Sequence, residues 1–310
     1  EGNQVRVLGL QGDPQCDAVP QTAELFYGDL LTGDGLEAFF TVPEGMDSAV
    51  IHTAGIVSLT PDRDQLVYDV NVGGTKRVVD ACIRHQVSRL VHVSSVHAIT
   101  VLPKGQVMAE PEHFDPDTIV GWYAKTKTIA TNLVLDAIKN HGLNASIVFP
   151  AGIWGPGDWK QGNLIQVFKD YWNGKLPAGM AGGYNFVDVR DAAQGVVACA
   201  QRGRPGEHYI LAGHYVTIRQ MLDAFHRITG KPPVKHILPI WLARAALPLL
   251  QLGSKLSGKP PVFSGYALYT LDANADFSIE KAKRELGYTL RPFEDSLRDT
   301  FEWLKENNLL

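Results

Sequence analysis

Tyr123 and Lys127 stand four residues apart in a stretch of helical periodicity, so both side chains project from one face. Upstream, Leu90-Val-His-Val-Ser-Ser95 reads as a buried strand ending in two hydroxyls. In open α/β sheets, ligands bind just beyond the carboxyl ends of the strands. The chemistry that needs this set is hydride transfer to or from a carbonyl, with a proton donor and acceptor at the oxygen. A free tyrosine titrates near pH 10, so about one in a thousand is ionised at neutral pH. A neighbouring ammonium favours the phenolate and is expected to bring Tyr123 toward working pH. Ser95 would hold the substrate oxygen, and Lys127 is also placed to bond a cofactor ribose.

The elements that must position these residues follow from hydrophobic periodicity. Short β-type runs are Val5–Leu8, Glu24–Tyr27, Ala49–His52, Leu90–Val93 and Ser146–Phe149. Helical patterns lie between them, the longest over Asp64–His85. Another spans Tyr123–His141, with Ile129, Leu133, Ala137 and Ile138 inward and Gly142 as its stop. This alternation predicts right-handed crossovers and an α/β fold with a doubly wound, Rossmann-type parallel sheet.

After Pro150 the texture changes. Four glycines and a proline in Ala151–Gly162 predict a loop leaving the sheet. A helix over Leu164–Asn173 and a Gly-rich connection at Gly179–Gly183 follow. Then come a strand (Asn185–Val189), a helix (Asp191–Gln201) and a strand (His208–Leu211). Thr217 with Gln220 forms a capping box opening a helix to Thr229, and the remainder is mostly helical, ending in Glu294–Glu306. The expected division is a dinucleotide-binding domain over 1–160, with 184–204 returning to it, and a smaller, mostly helical substrate domain over 161–183 and 205–310.

Composition narrows the classes. With 310 residues, 45% apolar and 20% charged, the chain can bury a sizeable core, which excludes a disordered or fibrous protein. A net charge of −4 argues against nucleic acid as a partner. Pro239, Arg244 and Pro248 interrupt the longest apolar stretch, Ile237–Leu252, so no membrane span is expected. Three cysteines without a CxxC pair fit a reducing, cytoplasmic setting, and Cys82 and Cys199 read as core residues. No His spacing indicates a metal site.

Taken together, the motifs resemble the short-chain dehydrogenase/reductase superfamily in its extended form, the NAD-dependent epimerase/dehydratase group, nearest the dihydroflavonol-reductase-like branch. The resemblance runs through Tyr27-Gly-Asp-Leu30, His52-Thr-Ala-Gly55, Asn71-Val-Gly-Gly-Thr75 and Val93-Ser-Ser95. It continues through Tyr123-Ala-Lys-Thr-Lys127, Phe149-Pro-Ala-Gly-Ile-Trp-Gly-Pro156 and Asn185-Phe-Val-Asp-Val-Arg-Asp191. It implies Tyr123 as general acid/base, Ser95 as its oxygen-orienting partner and Lys127 as the ribose-binding modulator. Asp29 and Leu30 would contact the adenine, and Thr53, Ala54 and Gly55 the ribose and pyrophosphate side. Asn71 would line the cofactor cleft, and Pro150 and Ile153 would flank the nicotinamide.

The sequence departs from the family in three places. No Gly-x-x-Gly-x-x-Gly turn opens it, and Val5–Leu8 matches the family's second strand, so one βα unit is missing from this sequence. Gly9 and Leu10 carry no charge where an acidic residue would select NAD or an arginine NADP, so NAD and NADP both remain open. Tyr184 and Asn185 stand where sugar-nucleotide enzymes carry a diphosphate-gripping arginine. With Trp122, Trp154 and Trp159 near the expected cleft, this suggests a flatter, less charged substrate. The expectation is an NAD(P)-dependent reductase or dehydrogenase acting on a ketone, an aldehyde or the matching alcohol. A nucleotide-sugar epimerase or dehydratase with retained NAD, and a non-catalytic dinucleotide sensor, are the alternatives. The only partner expected is a small-molecule substrate, with a homodimer built on the helices of 64–85 and 123–141.

Overall fold

The computed structural model describes residues 2–58, 62–245, 247 and 265–310. Part of the apolar stretch Ile237–Leu252 lies outside them. The chain begins with strand β1 (Val5–Gly9), a short 3-10 turn and β2 (Ala23–Tyr27), then helix α1 (Leu36–Phe40) and β3 (Ala49–His52). Helix α2 (Gln65–Tyr68) runs through a π turn (Asp69–Gly74) into α3 (Thr75–Arg84), followed by β4 (Arg89–Val93). Next come α4 (Trp122–His141), β5 (Ala145–Pro150), β6 (Gly152–Trp154), α5 (Asn163–Trp172), β7 (Gly179–Met180) and β8 (Gly183–Asp188). The rest is α6 (Val189–Arg202), β9 (His208–Leu211), β10 (His214–Thr217), α7 (Ile218–Thr229), β11 (Ile237–Leu238), α8 (Gly265–Asp272), α9 (Glu280–Leu286) and α10 (Phe293–Glu306).

Strands β3, β4, β5 and β9 form a parallel sheet in the order β3-β4-β5-β9. Every residue of β5 is buried, which is why this strand reads as a continuous apolar run and not an alternating one. Leu90, Val91, Ile147, Val148, Phe149, Tyr209 and Ile210 form the centre of the main core. β1 and β2 pair in parallel as a separate ribbon. Among the described residues no ladder joins that ribbon to the larger sheet, and β1 and β3 each have a single strand partner.

A second core gathers Trp154, Ile165, Phe168, Phe186, Phe225 and Phe301 around β10-β8-β6 and α5, α7 and α10. Its helices begin as their sequence predicts: Thr217 and Gln220 complete the reciprocal capping box of α7. Two details differ from the sequence reading. Within the predicted loop Ala151–Gly162, β6 pairs with β8, because Trp154 stacks on Phe186 at 4.4 Å and draws this strand against its neighbour. The division at 205 also shifts: β9 pairs with β5, and Ile279, Ala282 and Leu286 join the main core, so these parts of 205–310 pack with the larger sheet.

Helix α4 buries a wider face than expected: Ala137 is in the main core with Leu133 and Ile138 packed against it, and further residues join them. Its buried residues are Tyr123, Ala124, Thr126, Lys127, Thr128, Ala130, Thr131, Val134 and Ala137, whereas Ile129, Leu133 and Ile138 are only partly covered. The threonines tolerate burial because their hydroxyls are satisfied. Thr126 and Thr128 donate to the carbonyls of Tyr123 and Ala124, and Thr131 shares a hydrogen with Ser94 at 2.8 Å. Gly142 closes the helix in the left-handed conformation, at φ 66°.

Candidate active site

The carboxyl end of β4 delivers Ser94 and Ser95 beside the first turns of α4. Ser94 is used structurally, on Thr131. Ser95 caps the 3-10 turn Val96–Ala98, accepting from the His97 amide, and its hydroxyl lies close enough to the Tyr123 phenol to favour the phenolate. Ser95, Tyr123 and Lys127 are therefore brought together as the sequence spacing predicts, and all three are buried.

Their electrostatics differ from the expectation. Burial pushes the Tyr123 phenol up to about 12, with the nearby Ser95 hydroxyl offsetting only part of the rise. Burial likewise brings Lys127 down to about 8. Its ammonium donates to the Val93 carbonyl at 2.9 Å, which leaves two of its three protons without a partner among the described residues. Desolvation thus outweighs the expected ammonium effect on the phenol. His52 and His92 sit with their rings 5.3 Å apart, and burial together with the Lys127 charge keeps both neutral.

The π turn supplies a support that no periodicity revealed. Inserting one extra residue per turn rotates Asn71 inward, a deviation that recurs at functional sites. Asn71 accepts from the Ile56 amide at 2.7 Å and donates to the Ile56 carbonyl and to Thr126, each at 3.0 Å. It therefore clamps the loop after β3 to α4. Thr53, Ala54 and Gly55 lie exposed on that loop. A Cβ on Gly55 would sit 3.1 Å from the Asn71 amide oxygen and 3.5 Å from the Lys127 ammonium, so glycine lets the backbone approach closely.

A nicotinamide dinucleotide can be tested against these residues. The two spare protons of a buried ammonium suit the hydroxyls of a ribose, and the bare loop 53–55 beside them is a cradle that any side chain would crowd. These residues fit the ribose-bearing part of such a cofactor. Asp29 is committed locally, accepting from the Leu31 amide at 2.7 Å, while Leu30 packs against Gly74. Pro150 is buried at the end of β5, and Ile153 is 43% exposed on β6. Cys82 and Cys199 are core residues whose thiols burial pushes up to about 12 and about 11.

Of the four aromatics expected at the cleft, only Tyr184 reaches this group. Trp122 donates to the Asp64 carbonyl and stacks on Tyr68, Trp154 lies in the second core, and Trp159 packs edge-on against Trp303. Tyr184 instead hydrogen-bonds His97 Nε2 at 2.9 Å, and Tyr266 from α8 bonds His97 Nδ1 at 3.1 Å. The His97 ring lies edge-on to Tyr123 at 6.1 Å. Sequence reading missed His97 and Tyr266. The available signal was a lone histidine two residues past the catalytic-type serine.

Residues 1–186 match the 3-beta hydroxysteroid dehydrogenase/isomerase family. The chain is 28% identical over 303 residues to sterol demethylase protein B of Methylococcus capsulatus, covering 93% of this chain and 86% of that one. A Synechocystis relative of dihydroflavonol 4-reductase type is 26% identical over 311 residues, covering 99% and 89%. The solved structure of gox2253 is 28% identical and superimposes with a TM-score of 0.85, covering 100% of this chain and 92% of its own. With the family match extending over more than half of its length and the sheet arranged as described, the chain belongs to the 3-beta hydroxysteroid dehydrogenase/isomerase family of extended short-chain dehydrogenase/reductases.

Proposed function

We propose that this chain is an NAD(P)-dependent oxidoreductase that interconverts a ketone and its secondary alcohol on a flat, uncharged, sterol-like substrate. One observation carries the reading: Ser95 at the end of β4 and Tyr123 at the start of α4 are buried close together, with the buried Lys127 ammonium one helical turn along. The sterol relative and the family's steroid chemistry support the substrate class. A nicotinamide, when bound, supplies or accepts the hydride.

The protein's own residues do the rest. Ser95 orients the substrate oxygen and Tyr123 holds the proton there, giving it in reduction and taking it in oxidation. Lys127, by donating its two spare protons to a ribose, would gain partners that favour its charged form. That charge would draw the Tyr123 phenol down from about 12 toward neutrality. The loop clamped by Asn71 keeps the backbone of residues 53–55 in place beside the ammonium.

The sugar-nucleotide alternative has less support. Tyr184 stands at the position of the diphosphate-gripping arginine, and it is bonded to a histidine that burial brings down to about 4 and so keeps neutral. Tyr123→Phe is expected to lower kcat by roughly 10²–10⁴ while leaving dinucleotide Kd, followed by NADH fluorescence, within a few-fold. A variant that keeps most of its turnover refutes the assignment.

A further inference from the structure

The cluster of Tyr184, His97 and Tyr266 has an uneven number of hydrogens. A neutral imidazole offers one N–H donor and one lone pair. His97 is held neutral by burial, so one of its two tyrosines donates to it and the other accepts from it. The accepting tyrosine keeps its own phenolic proton, for which no acceptor appears among the described residues. Switching the tautomer only changes which tyrosine holds that spare proton. Burial raises the acid constants of both phenols above the ordinary tyrosine value, so both remain hydrogen-bond donors and neither becomes an anion.

The surroundings define what the spare proton meets. A cavity opens against His97 and Tyr184, and Val96, Ile99, Val101, Ile119 and Phe277 form its apolar wall. No charged side chain lines it among the described residues. Gly121, at φ +95°, brings the start of α4 against the Tyr266 ring, and a side chain there would strike that ring. The triad is thus held from β8, α8 and the turn after β4, next to Tyr123.

Resting on the oxidoreductase reading above, we propose that Tyr184, His97 and Tyr266 are the specificity-determining group of this site. They donate one hydrogen bond to an uncharged oxygen carried near the reacting carbon of the substrate, and they provide no cation for a carboxylate or phosphate. Tyr184, which lines the cavity, makes the contact; His97 and Tyr266 are positioning residues, Tyr266 donating to Nδ1 so that the Nε2 proton goes to Tyr184 and leaves its phenolic proton available.

The test uses three probes: 5α-cholestan-3-one, its 4-hydroxy derivative and its 4-carboxymethyl derivative, each with NADH and NADPH. The wild-type protein is expected to favour the hydroxyketone over the plain ketone by roughly five- to tenfold in kcat/KM, the size of one neutral hydrogen bond. The carboxylate is expected to be the poorest. Tyr184→Phe and Tyr266→Phe should each shrink the preference, with the loss in KM and not in kcat, and Tyr184→Arg should raise the ranking of the carboxylate. A preference that survives both phenylalanine variants, or a wild-type protein that favours the carboxylate, overturns the proposal. If Tyr123→Phe abolishes turnover in either case, the oxidoreductase reading stands without it. If none of the three turns over, that reading falls, and calorimetric binding of the same probes to wild type and both variants decides the triad, with equal affinities or no binding counting against it.

Discussion

Lys127 holds a positive charge out of water with a single protein partner, and this has a price in stability. Its acid constant falls from 10.5 to about 8 on folding, so between those values the unfolded chain binds more protons than the folded one. Stability therefore rises with pH through that window, and below pH 8 the burial penalty is fully present. Lys127→Met should raise thermal stability at pH 7, by on the order of 1 kcal/mol after the lost bond to Val93, while turnover collapses. Calorimetry beside an activity assay reads both; a less stable variant would contradict the assigned burial cost. Dinucleotide affinity of the wild type should weaken above pH 8, as the ammonium loses its proton, and Kd measured against pH shows the inflection. Tyr123 and Lys127 were legible because two side chains on one helix face leave a four-residue signature, and Ser95 because a buried strand that ends in hydroxyls shows in the apolar pattern. The acid constants were not legible, since they depend on burial by segments distant in sequence. His97 went unseen for the same reason: its partners lie 87 and 169 residues away.

Among the elements, the π turn at Asp69–Gly74 carries the most consequence for the site. Asn71→Ala removes one acceptor and two donor bonds, leaving the Ile56 amide and carbonyl without the partners they have now. It should cost about 2 kcal/mol of stability and weaken dinucleotide binding more than it changes kcat, as urea melts and NADH titration would show. An unchanged Kd would detach the loop of residues 53–55 from the cofactor. By contrast, Thr217→Ala breaks the capping box of α7 in the second core and should cost about 1 kcal/mol. Strands β4, β5 and β9 were readable from sequence because burial on both faces leaves uninterrupted apolar runs. The inward face of α4 was read too narrowly, because threonines that satisfy their own hydroxyls are buried beside the expected Leu133, Ala137 and Ile138. The glycines around Ile153 and Trp154 hid β6, whose pairing rests on contacts with Phe186.

At the scale of the whole molecule, the partly covered Ile129 and Leu133 of α4 meet Tyr68 and Val72 in a shallow groove. This groove joins the two helical segments on which a homodimer is expected. Leu133→Lys should convert a dimer to a monomer in light scattering with little change in the fold's circular dichroism, whereas an unchanged mass would place any association elsewhere. No helix of the described residues is long and apolar enough to cross a membrane. The divided sheet, finally, sets a gradient of protection across the molecule. Backbone amides of β5 lie between two parallel neighbours and should exchange only on global opening. Deuterium uptake followed by mass spectrometry should therefore be late in β5 and early in the exposed loop of residues 53–55, which lies outside every ladder.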